Sequence, residues 1–307
     1  MNAAALTDVR RPLTPHVPVR RVTVLVNPRS GGVGAKATAE VMQLMAQFDC
    51  ESEVVELDGP RLSVTIDEAL AAKPDLIVVL AGDGTARTVA SRAGPDGPLI
   101  APLPGGTMNM LPRALYGTTD WKAALEACLT EGEIQCIAGG EIAGEAFYVA
   151  AILGSPALWA PAREAMRGGK VRLAWLYGRR ALHRAFSSRT RFVIDGGRSQ
   201  RGEALILLSP MISKAMDEPT GLEAAVLDVH DAREAFGLAA RAMFSDWRQD
   251  PSVKTRPARR VTASAGSRIP AIIDGEPLQL PEEVEVRFLP RAFRALAPKP
   301  PAAEDAV

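Results

Sequence analysis

The segment LIVVLAGDGT, residues 76–85, carries the densest chemical signal in the sequence: apolar residues from Leu76 to Ala81 run straight into a Gly82-Asp83-Gly84-Thr85 turn with a helical pattern behind it. Gly82 and Gly84 have no side chain, so their N–H groups can approach an anion closely, and a helix opening at Thr85 favours negative charge at its N-terminus. Asp83 can hold Mg²⁺ or a proton, and a lone carboxylate between two glycines has little structural reason to be there. Two further runs end in the same way. VTVLV at 22–26 leads to Asn27-Pro28-Arg29-Ser30-Gly31-Gly32-Val33-Gly34, and LIAPLP at 99–104 leads to Gly105-Gly106-Thr107-Met108-Asn109. In a doubly wound sheet the carboxyl ends of the strands share one edge, so the three turns are expected to converge on one phosphate-binding crevice. The site is neither a P-loop, since no Gly-Lys-Ser/Thr signature is present, nor a dinucleotide fingerprint, since Gly32-Val33-Gly34 lacks its third glycine.

The elements that must position these turns follow from periodicity. From 22 to 131 the pattern alternates strand and helix: VTVLV, then a helix with Val41, Leu44, Met45 and Phe48 at helical spacing, SEVVEL, a helix near 61–71, DLIVVL, a helix from 85, PLIAPL and WKAALEACLT. Such alternation predicts a parallel sheet covered on both faces. Beyond about 135 short β-like runs follow at 133–138, 146–152, 191–195, 203–208, 222–229, 260–264, 270–273 and 283–288, with helical stretches near 157–187 and 231–247. That texture predicts an antiparallel sandwich with inserted helices. The expected organisation is a flexible arm (1–19), an α/β nucleotide-binding domain (20–134), a β-sandwich substrate domain (135–297) and a flexible tail (298–307).

At 307 residues, 47% apolar and 23% charged, the chain can bury a core of two-domain size. No run approaches the roughly 20 apolar residues of a membrane span, and the first residues lack the apolar core of a secretory signal, so a cytoplasmic protein is expected. Cys50, Cys128 and Cys136 have no metal-ligand spacing and read as small core residues in a reducing compartment. His16, His183 and His230 are too scattered to suggest zinc or a Ser-His-Asp triad. Net charge is zero, yet from Arg163 to Arg201 eleven Lys or Arg stand against Glu164 and Asp195.

The order Asn27-Pro28-x-Ser30-Gly31, Gly82-Asp83-Gly84-Thr85, Leu103-Pro104-x-Gly106-Thr107-x-Asn109, and then Asp274-Gly275-Glu276 late in the β-rich half resembles the diacylglycerol, sphingosine and ceramide kinase catalytic family. The resemblance spans about residues 20–290 and is greatest to the family's soluble bacterial branch. It implies an α/β nucleotide domain related to those of NAD kinases and phosphofructokinases, a β-sandwich domain after it, and the cofactors ATP and Mg²⁺. By position it places Asn27, Pro28, Arg29, Ser30 and Gly31 around ATP. Ala81, Gly82, Asp83, Gly84 and Thr85 come under the phosphates with Asp83 on the metal, and Gly105, Gly106, Thr107 and Asn109 lie beside the nucleotide. Asp274 falls where the family keeps its general base, with Glu276 close by. Asp-Gly is also the commonest two-residue hairpin turn, so a purely structural role for Asp274 stays open.

The chain departs from the family at Ala81, which replaces the first glycine of Gly-Gly-Asp-Gly-Thr, at Arg87 and Thr88, which replace Asn and Glu, and at Met110 and Leu111 after Asn109. Thr220-Gly221-Leu222-Glu223 lacks the aspartate of an auxiliary metal site, so that site is not expected. Within 166–186, Val171, Trp175, Leu182 and Phe186 recur at helical intervals among Arg172, Arg179, Arg180 and Arg184. A basic helix with an apolar side suits an anionic membrane surface or a lipid gate, although the stripe could equally pack on the sandwich. No nucleic-acid recognition motif accompanies it. The expected partner is therefore a lipid substrate at the inner face of a membrane, the lipid being diacylglycerol, ceramide or a relative. A NAD kinase-like enzyme and a lipid-binding module that has lost catalysis are the alternatives.

Overall fold

The computed structural model describes residues 12–154, 190–213, 220–227 and 253–299. The helical stretches expected near 157–187 and 231–247 lie outside these residues, as do Arg172, Trp175, Arg179, Arg180 and Arg184. The chain divides into two compact units, Met1–Gln135 with Phe293–Val307, and Cys136–Ala292.

The first unit alternates β1 (Arg21–Val26), α1 (Ala37–Met45), β2 (Glu51–Glu56), α2 (Leu62–Ala71), β3 (Leu76–Ala81), α3 (Asp83–Ala93) and β4 (Leu99–Pro104), followed by α4 (Met110–Tyr116) and α5 (Trp121–Glu131). The strands are parallel in the order β2-β1-β3-β4. Every residue of β3 and β4 is buried, which is why these strands read as unbroken apolar runs rather than alternating ones. Helices α1 and α5 lay Val41, Met45, Leu125 and Leu129 on Val24, Leu76, Leu80 and Leu103 in one core. This is the doubly wound sheet that the alternation predicts.

The second unit is an antiparallel sandwich. It begins within β5 (Glu133–Ile142) and continues through β6 (Glu145–Phe147), β7 (Ala150–Gly154), β8 (Thr190–Ile194), β9 (Gln200–Gly202), β10 (Ala204–Leu208) and β11 (Leu222–Leu227). The chain then supplies β12 (Val253–Ala258), β13 (Arg260–Ser264), β14 (Ile269–Ile273), β15 (Glu276–Leu280) and β16 (Glu283–Ala297). One sheet runs β12-β11-β10-β7-β14-β15, and β16-β13-β8-β9 forms the other. Phe147, Leu153, Phe192, Leu205, Ala271 and Val286 meet in a core drawn from both. Among the described residues no helix is long and apolar enough to cross a membrane.

The strands differ from expectation in three ways. The run at 146–152 is two strands, because the N–H groups of Tyr148 and Val149 are taken by the Asp274 carboxylate instead of a ladder. Strands β9, β12 and β15 carry no alternating apolar signal and are not anticipated. Strand β16 continues past 288 to Ala297, and its last residues, expected in the second domain, belong to the first unit, where Ala295 pairs in parallel with Ile100.

That end is anchored by the Leu296 carbonyl, which accepts from the Tyr116 hydroxyl at 2.9 Å and from the Cys128 thiol at 3.3 Å. Burial pushes the Cys128 thiol up from its ordinary 9.0 to about 12 and raises the Tyr116 phenol as well. The unfolded chain therefore loses these protons first, so their contribution is complete below pH 9.0 and declines as pH climbs toward about 12. Urea midpoints measured across that range should fall for the wild type and fall less steeply for Cys128→Ala. Parallel slopes would show that Cys128 has no part in the alkaline loss.

Candidate active site

Each of the three glycine turns begins where a parallel strand ends, and hydrogen bonds tie them to one another. After β1, the Asn27 N–H donates to the Leu80 carbonyl at 2.9 Å, keeping the first turn against β3. Asn27 Oδ1 accepts the Arg29 N–H at 3.1 Å, a local Asx turn that occupies the side chain within its own loop. The Gly32 N–H donates to the Gly105 carbonyl at 3.1 Å, which joins the first turn to the third. Arg29 itself extends outward, its side chain 77% exposed and 3.7 Å from Asp58.

The second turn opens α3 with Gly82 as its N-cap, and the Gly82 carbonyl accepts from Thr85 and Ala86. Its Asp83 reaches across to the third turn, where Oδ2 accepts the Asn109 N–H at 2.8 Å. The third turn ends in Asn109, which is buried in the left-handed region at φ 50°, ψ 41° and caps α4. Asn109 Oδ1 accepts the Gly106 N–H at 2.7 Å. Close approach requires glycine here: a Cβ on Gly105 would lie 2.8 Å from Ala81 N, and one on Gly106 would lie 2.9 Å from Gly82 Cα.

Residues 27–34, 81–85 and 105–109 are thus assembled at one edge, as the strand order demands. Asp83 does have a structural reason to sit between two glycines, because it clasps the second turn to the third. Its other oxygen, Oδ1, is buried and has no hydrogen-bond partner among the described residues. Burial raises the Asp83 carboxyl, opposed by main-chain N–H groups of Asn109, Met110 and Leu111. A buried carboxylate oxygen left over after structural needs are met fits a cation carried by a phosphate ligand, since Mg²⁺ is usually held by one or two carboxylates together with phosphates and waters. The described residues contain no group of three acidic, His or Cys side chains that could hold a metal unaided.

In the second unit, Asp274 and Gly275 form the turn between β14 and β15, with φ of 46° and 88°, the signature of a type I′ hairpin. The Asp274 side chain is only 6% exposed as a residue and accepts main-chain N–H groups from Tyr148 at 2.8 Å, Val149 at 3.0 Å and Ala150 at 2.9 Å. Its own N–H donates to the Ala150 carbonyl. Glu276 is exposed. Sequence reasoning did not anticipate the Tyr148–Ala150 amides as partners, because no residue type marks an amide that leaves its ladder.

Residues 21–141 match the diacylglycerol kinase catalytic domain family. No curated protein matches the chain. Among solved structures, a diacylglycerol kinase from Bacillus anthracis str. Sterne superposes with a TM-score of 0.71 at 18% identity, covering 91% of this chain and 97% of that one. A second structure from the same organism, provisionally assigned as a diacylglycerol kinase, gives 0.69 at 19% identity with the same coverage. At these identities the likeness establishes the two-part fold.

Two substitutions test the loop assembly. Gly106→Ala should cost about 1–3 kcal/mol, because its Cβ meets backbone that cannot yield, and should weaken ATP-analogue binding along with it. A variant binding as tightly as wild type would show that the close approach is dispensable. Asp83→Asn keeps an oxygen for the Asn109 N–H and removes the buried charge. A carboxyl whose proton is held more tightly in the folded state contributes stability only below its ordinary range, so at neutral pH this variant should melt at the wild-type temperature or above it. A clear fall in Tm would mean that the anionic clasp outweighs the desolvation.

Proposed function

Because residues 21–141 belong to the diacylglycerol kinase catalytic domain family, we propose that the protein is an ATP- and Mg²⁺-dependent lipid kinase, transferring the γ-phosphate to the free hydroxyl of a neutral lipid such as diacylglycerol or ceramide. The observation that carries this reading is the fusion of the three glycine turns by the Gly32–Gly105 and Asp83–Asn109 hydrogen bonds. It offers main-chain N–H groups and a helix N-terminus to a polyphosphate. In phosphoryl transfer the enzyme mainly positions groups and offsets oxygen charge, so such a cradle supplies much of what is needed.

In this reading Asp83 Oδ1 holds Mg²⁺, which would supply charge neutralisation at the phosphates. Asn27 and Asn109 act by shaping their loops, since both side-chain oxygens accept main-chain N–H groups, while Thr107, exposed at the tip of the third turn, and Ser30 present hydroxyls. Arg87, one turn into α3, puts a cation in place of the family's polar residue. The lipid would be met at the inner face of a membrane.

Asp274 is assigned as the base that takes the hydroxyl proton. Its three amide bonds favour a second reading, in which it is a strut fixing the β6–β7 break, because a carboxylate has about four acceptor sites and main-chain N–H groups take at least three. Asp274→Asn separates the two. For a base, turnover should fall by about 10²–10⁴ with Tm and ATP binding held. For a strut, Tm and turnover should fall together.

The activity itself is tested by transfer of label from γ-³²P-ATP with Mg²⁺ to diacylglycerol, ceramide and sphingosine in mixed micelles, and to NAD in solution. Labelled lipid is expected. Label on NAD alone would replace the proposal with a NAD kinase, and ATP binding without transfer would leave a module that has lost catalysis.

A further inference from the structure

Strands β8 and β9 pair antiparallel with Arg191 directly opposite Arg201, and Arg198 lies in their connection. All three are exposed. The turn that starts this connection is tight: the Gly197 N–H donates to the Ile194 carbonyl, and Asp195 and Gly196 have φ of 49° and 68°. Like charges facing each other across an antiparallel pair are destabilising. The same unit contains a second such pair, Arg260 opposite Arg287, and there counter-charge is provided. Glu285 lies 3.8 Å from Arg260 and 3.4 Å from Arg287, and Glu141 lies 3.4 Å from Arg287. Around Arg191, Arg198 and Arg201 no carboxylate stands within ion-pair distance among the described residues. Asp195, the hairpin's one acid, accepts the Arg259 and Arg260 N–H groups at Oδ1.

We infer that the β8–β9 hairpin is a docking surface for an anionic phospholipid membrane, with Arg191, Arg198 and Arg201 facing the headgroup phosphates. The inference rests on the lipid-kinase reading, since an enzyme acting on a water-insoluble lipid must meet it at an interface. Charge complementarity identifies the occupant: three guanidiniums with no carboxylate partner among the described residues present forked donors suited to phosphate, and in sequence they close a segment, 163–201, with eleven cations against two acids. Phe192, the hairpin's one aromatic, is fully buried in the sandwich core. Among its described residues the hairpin therefore offers cations without the stacking platform on which single-stranded nucleic acids rely.

The test uses the full chain with vesicles of phosphatidylcholine, alone or mixed with phosphatidylglycerol. Wild type should prefer the mixed vesicles, less so as salt is raised, because exposed charges are screened. The triple variant R191Q/R198Q/R201Q, with Tm unchanged, should lose about 10²-fold in affinity for mixed vesicles, and R191K/R198K/R201K should recover most of it. Equal affinities for wild type and the Gln variant would overturn the proposal. So would unchanged vesicle binding accompanied by aggregation, which would make the arginines guards of the β9 edge, or tighter wild-type binding to an oligonucleotide that the Gln variant loses. Lipid phosphorylation in detergent micelles is measured alongside. Its absence there would defeat the kinase reading, while the vesicle affinities would still decide the docking surface.

Discussion

Main-chain N–H groups at strand starts and breaks have no ladder partner, and a buried one left unmade is costly. In this protein aspartates supply those partners over long stretches of chain. Asp75 accepts from Arg20 and Arg21 where β1 begins, Asp83 from Asn109 at the head of α4, Asp195 from Arg259 and Arg260 before β13, and Asp274 from Tyr148, Val149 and Ala150 between β6 and β7. The two amides on Asp75 hold its carboxyl below the usual carboxylate range. Hydrogen bonds to a charged acceptor are stronger than neutral ones, so the two on Asp75 fix the start of β1 more firmly than a polar uncharged side chain would, whereas at Asp83 burial works against the charge.

The same device explains how the glycine turns remain a cradle instead of three independent loops. Glycine gives them close approach, but it also gives conformational freedom that would scatter their N–H groups. The Asp83 clasp and the left-handed Asn109 remove that freedom from the third turn, and the Asn27 side chain does the same within the first. A carboxylate in such a place can spend one oxygen on the backbone and turn the other to a ligand, and Asp83 has that arrangement. Asp274 has more of its acceptor capacity committed.

The parallel sheet and the positions of its turns are legible in the sequence because β1, β3 and β4 are buried on both faces, β3 and β4 stop at glycines, and β1 runs into the Asn27-Pro28 turn that leads to Gly31. The sandwich is legible only in part. Strand β15 reads Glu-Pro-Leu-Gln-Leu with a single buried residue, and β9 is three residues long, so neither presents a period to detect. The single run 146–152 breaks because of an aspartate 126 residues away, which no local pattern can show. For the site, glycines and carboxylates mark where chemistry can occur, but not which oxygens are already engaged. That depends on amides brought in by tertiary structure, and it reverses the sequence argument that Asp83 lacks a structural purpose.

Strand β16 is counted twice, since Glu283–Val286 closes one sheet of the sandwich while Phe293–Ala297 completes the unit holding the glycine turns. Its Leu296 carbonyl holds Tyr116 and Cys128, and Gln135 donates to the carbonyls of Ala297 and Pro298. As a ribosome delivers the chain from its N-terminus, the α/β half emerges first yet cannot be finished until nearly three hundred residues have been made. A nascent chain therefore holds an open flank beside β4 through most of its synthesis, and a chain that stops before Phe293 would lack the strand end that fills it.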